Sequence, residues 1–556
     1  AVTVPDGYDQ AVVIRWGDPV LPDAPAFDIA NQTAAAQEKQ FGFNNDFAGL
    51  LPVEGVPNAY LLVVNHEYTT EPFMFAGYDA ENPPTEEQVR IGWANHGLSV
   101  VQVKGEPGTG RLTPEFGQYN RRITGLTEFA VTGPAAGSDL LKTTADPTGT
   151  RVLGTLNNCS GGLTPPWGTV LSGEENFNQY FANAEQVTDP VVAGRLARYG
   201  IEGGASERKW ERFDPRFDVT ATPNEVNRFG WVVEVNPWDA TSVPVKHTAL
   251  GRFKHEAATI HVTADGTVVA YSGDDERFDY MYKFVSSRKM QDGNSQAAMR
   301  HNMTLLDAGT LYVAQLTGDN PDAIDGTGTL PEAGVHRRRH VDSVAAHQRG
   351  RVRGVPGRRH VGRRGRGLHP PRRRQGRRHQ DGPAGGLRTE PGDRQGLRAL
   401  TNNSKRGVDG KPAADEANPR VNNKNGQVLE IDDDHAGTAF TWNLLLVCGD
   451  PPEAADTYFG GFDKSQVSPI SCPDNLAFDP HGNLWISTDG NALKSNDGLF
   501  AVVLDGPRRG ETKQFLTVPI GAETCGPIVQ ENRVVVCVQH PGGDRRRVVG
   551  RSRLAL

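Results

Sequence analysis

Two stretches, Ile260–Ser272 (IHVTADGTVVAYS) and Leu476–Thr488 (LAFDPHGNLWIST), decide how this 556-residue chain is read. They overlay without a gap, Gly266 on Gly482 and Val268 on Leu484. Each reads as a strand, an Asp/Gly turn and a second strand, and each runs into an acidic turn, Asp274-Asp275 in one and Asp489 in the other. Apolar and polar residues alternate with the period of two that a half-buried strand requires. Similar short runs recur at Ala11–Trp16, Tyr60–Val64, Trp231–Val235, Thr310–Ala314, Phe500–Leu504 and Arg533–Val538, separated by Gly, Pro, Asn and Asp. Self-similar hairpins over some 500 residues predict an all-β chain, a β-propeller with no blade signature of the WD type. Helix-like spacing at Glu175–Ala184 and Asp189–Tyr199 predicts two helical insertions. A propeller gathers loops distant in sequence at one end of its channel, so scattered residues can share a site.

The length exceeds the ~250–300 residues at which one compact core stops growing, which a modular array accommodates. No run of 18 apolar residues occurs, so no membrane span is expected. The chain begins at Ala1 with neither Met nor a basic-apolar leader, which suggests a processed form. Five cysteines, an odd and small number, exclude a disulfide scaffold.

The net charge of −8 hides a split. The window His336–Arg398 holds 19 arginines, no lysine and four acids, while the rest carries 40 basic against 63 acidic side chains. An acidic surface repels nucleic acid and suits divalent cations or a secreted life. A disordered nucleic-acid arm and a solvated linker are two readings of the window. A third fits better: Arg, Gly, Pro and Ala dominate when GC-rich DNA is read out of frame. A one-base shift of HQDGPAGGLRTEPGDRQGLRA permits TKMDRPEDFEPNPVTGKVYAL, which joins the downstream ALTNN and repeats the hairpin template. We therefore expect a frameshifted, poorly ordered segment at 336–398 between propeller blades at 1–335 and 399–556.

Chemistry first shows in Leu156–Phe177, LNNCSGGLTPPWGTVLSGEENF. Cys159 stands in a Gly-rich turn, and Glu175 follows it by 16 residues, across a turn set by Pro165, Pro166, Trp167 and Gly168. Thiolate and carboxylate come together only when a cation lies between them. A sulfur donor asks for a transition metal, and hard oxygens favour Ca²⁺. Further acids lie near strand ends: Glu67 in VVNHEYTT, Glu256 in RFKHEAATI, Asp274 and Asp275 in YSGDDERFDY, Asp474 in SCPDNLAF. Any one of them alone reads as a turn or capping acid. No G-x-S-x-G elbow, P-loop or CxxC zinc pair is present.

On NHEYTT, NRRITG, NNCSGGLTPPWGTVLSGEENF, GRFKHEAATI, YSGDDERFDYMYKFVS, ALTNN, FTWNLLLVCGDP, CPDNLAFDPHGNLWISTDG and CVQHPGG, in this order, the chain resembles the PhoX family of alkaline phosphatases. The resemblance implies a six-bladed propeller, a monomer exported folded by the twin-arginine route to the periplasm or medium, and hydrolysis of phosphate esters. It implies a mixed iron and calcium cofactor whose bridging oxygen attacks phosphorus. Cys159 would be the iron-bound thiolate. Glu175, Glu256, Asp275, Asp474 and Glu67 would be metal-ligating carboxylates, with His255 and His66 as packing residues. Three departures stand out. The family's Arg-Pro-Glu-Asp segment survives only in the shifted frame, TPPWGT carries one proline more than TPWGT, and GGDRRRVVGRSRLAL replaces the usual ending. A calcium-stabilised propeller that binds a ligand without catalysis is the alternative. A lactonase- or phytase-like propeller shares the acids but has no need of Cys159.

Overall fold

The computed structural model describes residues 1–542 except 80–81, 165–166, 294, 317–326, 331–340, 343, 349–383, 390–394, 409 and 491. Most of the Arg-rich window, together with Pro165 and Pro166, thus lies outside the described residues. The placed parts of the window are strands: Val344–Gln348 pairs with Gly309–Val313, and Ala384–Thr389 with Gln395–Leu400.

Five sheets of four to six strands and one two-stranded hairpin make up the β structure. Their inner strands are, in chain order, Ala48–Pro52, Asn158–Leu163, His255–Val262, Ala384–Thr389, Pro473–Phe478 and Glu523–Gln530. Each touches the next, and Glu523–Gln530 returns to Ala48–Pro52, so the ring closes. Five full sheets and a hairpin stand where six blades were expected. The N-terminal segment does not widen the hairpin: Thr3 exchanges backbone hydrogen bonds of 2.9 and 3.0 Å with Thr517, at the edge of the fifth sheet.

Apolar faces of successive sheets bury one another. Leu171 and Val232 of the second sheet pack with Ala258, Val268 and Ala270 of the third, and Leu397 and Val428 of the fourth with Leu484 and Ile486 of the fifth. The two matching sequence stretches are the inner hairpins of the third and fifth sheets, and Gly266 and Gly482 turn them at φ +80° and +82°. The Asp189–Tyr199 expectation becomes helix Pro190–Ala197, capped by the Asp189 carboxylate. Glu175–Ala184 does not form a helix. It is a single 3₁₀ turn, Phe177–Tyr180, and Asn183 at φ +66° starts another. Phe177, Tyr180 and Phe181 are all buried, so core packing overrides the helical spacing here. Ala11–Trp16 is irregular, with Val13 and Ile14 lying against the first sheet. No helix among the described residues is long and apolar enough to cross a membrane.

Two glycines set the spacing of the second and third sheets. A Cβ on Gly162 would stand 2.1 Å from the Ala258 carbonyl oxygen, and one on Gly173 2.2 Å from that of His255. Backbone cannot yield there as a flexible side chain can. The CSGG and SGEE motifs therefore let Cys159, Glu175 and Glu256 come to one place. We expect Gly162→Ala or Gly173→Ala to cost roughly 1–3 kcal/mol in denaturant unfolding. A Gly194→Ala control, inside helix Pro190–Ala197 where a Cβ meets nothing within 4 Å, should be at least as stable as the parent, because Ala favours a helix over Gly.

Candidate metal centre

A hairpin puts the start of its first strand and the end of its second at the same edge. The acids exploit this repeatedly. In the first sheet Asp46 precedes inner strand Ala48–Pro52 and Glu67 follows Ala59–His66. In the second, Cys159 is in the inner strand and Glu175 follows Val170–Glu174. Glu256 and Asp275 take the same places in the third sheet, Asp474 and Asp489 in the fifth, and Glu523 opens the hairpin. All line one cavity of about 610 Å³.

Local irregularity aims them. Register shifts fall at Asn158/Gly161, Glu256/Thr259, Pro473/Leu476 and Cys525/Ile528, always near the start of the inner strand. Such bulges bend a strand and redirect its side chains. Ala257, inside one of them, is held at φ +64°, an unfavourable conformation for a residue with a Cβ. Buried carboxamides tie the sheets together. The Asn65 carbonyl accepts from the backbone N–H of Asp46 (3.0 Å) and Phe47 (2.6 Å), and its amide donates to the Cys159 carbonyl. Asn475 accepts from the Gly526 N–H at 2.8 Å, joining the fifth sheet to the hairpin.

Ten carboxylates and the Cys159 thiol line the cavity, against three cationic side chains. Of those three, Lys254 is paired with Glu276 (3.0 Å) and Arg208 with Glu71 (3.1 Å). Burial, and then the neighbouring acids, pushes the carboxyls of Asp46, Glu256, Asp474 and Glu523 well above the usual range. Burial raises Glu67 to about 7 against the opposing hydrogen bond from Gln539 Nε2 (2.8 Å). The Cys159 thiol is driven up by burial and by Asp46 and Glu175. Glu175 and Asp275 hydrogen-bond each other, as do Glu256 and Asp474. Two carboxyls can do this only while one holds a proton, so without cations the cluster must protonate to exist.

The donor set fits bound metal. Asp46, Glu67 and Cys159 present ligand atoms within 4.8 Å of one another, all buried. One Asp46 carboxyl oxygen is buried and accepts no hydrogen bond among the described residues. All six residues singled out in the sequence, Cys159, Glu175, Glu256, Asp275, Asp474 and Glu67, line the cavity. Asp274 is drawn aside by Arg198, 3.5 Å away. His66 and His255 are fully buried behind the strands, bonded to Ser99 (2.6 Å) and to Ser272 and the Gly251 carbonyl (both 2.9 Å). Sequence reasoning missed Asp46, Asp489 and Glu523 as site residues. Their signal was positional, an acid at the mouth of each inner hairpin.

The sequence profile of the alkaline phosphatase PhoX family matches residues 1–542. The chain belongs to the PhoX family. It is similar to the structure of Pseudomonas fluorescens PhoX in complex with vanadate, a transition state analogue. The identity is 37%, the match covers 98% of this chain and 92% of that one, and the TM-score is 0.81. No curated protein matches the sequence. As a PhoX alkaline phosphatase the chain is a phosphomonoesterase built on a β-propeller.

The raised carboxyl pKa values carry a sign. The folded, metal-free state holds protons that the unfolded chain releases near pH 4, so its stability falls as pH rises above that value, through about 7 for Glu67. We expect the Tm of chelator-treated protein to drop between pH 5 and pH 8, and added metal to reverse the trend. A flat or rising Tm in the chelated protein would contradict a cluster that needs protons or cations.

Proposed function

We propose that this PhoX alkaline phosphatase hydrolyses phosphate monoesters at a mixed iron and calcium centre held by Cys159, Glu175, Glu256, Asp275, Asp474 and Glu67. Asp46, Asp489 and Glu523 complete the ring of donors. The observation that carries the reading is the convergence of these buried anions on one mouth of the ring, in a chain of this family. Cys159 is the soft donor that suits iron, and the carboxylates are the hard oxygens that suit Ca²⁺. Bound there, the cations supply Lewis acidity toward the phosphate oxygens and offset charge in the transition state.

The chain's own residues orient the ester. Arg208 is clamped by Gln179, the Thr69 carbonyl and Glu71, with its guanidinium 5.5 Å from the centre of the Tyr68 ring. Arg277 donates to Asn402 Oδ1 at 2.9 Å, and its Nε has no hydrogen-bond partner among the described residues. It is the guanidinium best able to receive phosphate oxygens.

The fourth sheet is the exception to the hairpin rule. Its inner strand Ala384–Thr389 reads AGGLRT and carries no acid, though it lies between His255–Val262 and Pro473–Phe478 and has the same register shift, at Ala384/Leu387. The shifted reading frame would supply Arg-Pro-Glu-Asp at this strand. We read the gap as a ligand lost from the translated chain, which lowers activity; this favours the second reading, a calcium-stabilised propeller that binds without turnover. The hairpin Glu523–Gln539 would be the inner half of a sixth blade. A monomer active outside the cytoplasm follows from the family resemblance.

p-Nitrophenyl phosphate at alkaline pH, with iron and Ca²⁺ supplied, separates the two readings. We expect measurable turnover that rises when the frame across residues 330–400 is restored. Cys159→Ala and Glu256→Ala should each reduce it by ~100-fold or more, since even outer-shell partners of a metal cost about 10–100-fold. No turnover in the restored protein would leave the binding module.

A further inference from the structure

We propose that Cys525 and Cys537 are a disulfide site, a single covalent bridge across the hairpin that closes the ring. The inference goes beyond the phosphatase reading and does not rest on it. The two residues face each other directly where Glu523–Gln530 pairs antiparallel with Arg533–Gln539. Directly opposed residues in such a pair stand about 4.5–5.5 Å apart at Cα, with both side chains on one face. That lies inside the span of about 4.4–6.8 Å that a disulfide bridges. Both free thiols are buried in one apolar cluster, with Ala48, Leu50, Leu62 and Val64 of the first sheet. The other cysteines are placed differently. Cys159 faces the cavity, and the Cys472 thiol donates to the carbonyls of Lys424 (3.4 Å) and Gly490 (3.1 Å). Cys448 has no cysteine opposite it in any strand pairing among the described residues.

The hairpin is where the ring most needs a clamp. Among the described residues it is the one sheet of two strands, and two strands by themselves are marginally stable. Two residues nearer the mouth, the opposed pair Glu523 and Gln539 brings Glu523 to the cavity and Gln539 Nε2 to Glu67, at 2.8 Å. A bridge at the Cys525–Cys537 rung holds these strands at one separation and restricts the unfolded chain. It forms by thiol–disulfide exchange with a small disulfide oxidant such as oxidised glutathione. One cysteine, as thiolate, attacks the S–S bond of the oxidant and releases one thiol. The other attacks the mixed disulfide, completes the Cys525–Cys537 bond and releases the second thiol. The two protons and two electrons that leave the cysteines end on the two released thiols. Both sulfurs are shut away from solvent in the closed ring, so exchange occurs before the hairpin docks or while it is open.

Full-length protein held with oxidised glutathione in urea below its unfolding midpoint, then alkylated and digested, tests the site by peptide mass. We expect one linked peptide pair joining Cys525 to Cys537, with Cys448 and Cys472 recovered as alkylated thiols. The link should vanish on treatment with dithiothreitol and be missing from Cys537→Ser. In the oxidised parent, dithiothreitol should lower the Tm by about 2–3 °C, the shift a short bridged loop gives a chain of this size. Cys525→Ala with Cys537→Ala should show no such response to the reductant. The proposal is overturned if all five cysteines are recovered as thiols after oxidation, if a Cys448–Cys472 link forms in place of this one, or if the double variant responds to dithiothreitol as the parent does. p-Nitrophenyl phosphate turnover, measured alongside, tests the phosphatase reading separately.

Discussion

Repulsion between buried like charges governs this molecule. Ten carboxylates and a thiol face one cavity that offers three cationic side chains, two of them already paired to carboxylates. The buried ones among them, Asp46, Glu67, Glu175, Glu256, Asp474 and Glu523, together with the desolvated Asp275 and Asp489, persist as anions in a low-dielectric site only with bound cations, and otherwise take up protons. The remaining architecture is a means of holding them there in spite of that cost. Apolar sheet faces buried against one another supply the stability, and the cluster draws on it.

The way the ring holds them is economical. One antiparallel hairpin delivers two donors to one edge, and repetition around a closed circle multiplies the pair. The register shifts turn the donors inward, and Gly162 and Gly173 remove the Cβ atoms that would keep the second sheet from the third. Asn65 and Asn475 satisfy backbone groups near the starts of the inner strands, so neighbouring sheets are locked at the level of the donors. Positioning therefore comes from backbone and carboxamides buried behind the cavity.

The fourth sheet shows what breaking the repeat means. Thr401 and Asn402 reach the cavity from the strand Gln395–Leu400, where the other sheets place an acid beyond the second strand. With Thr401 and Asn402 there, the sheet brings neutral groups to a site that the others fill with charge. An uneven ring of donors lowers the negative charge available to cations on that side.

Much of this was legible from residues alone. Period-two alternation and the overlay of Ile260–Ser272 on Leu476–Thr488 determined the all-β repeat, because strand geometry writes its period directly into side-chain polarity. Cys159 and Glu175 were visible because a thiol and a carboxylate in Gly-rich turns carry their chemistry in their identity. The Glu175–Ala184 helix was misread because spacing alone does not reveal that Phe177, Tyr180 and Phe181 are claimed by the core. Asp46, Asp489 and Glu523 look like ordinary turn acids, and nothing local distinguishes them from Asp274, which Arg198 takes instead. Only closure of the ring decided which acids meet, since a charge becomes a ligand through neighbours hundreds of residues away, and those distances exist only once the chain is folded.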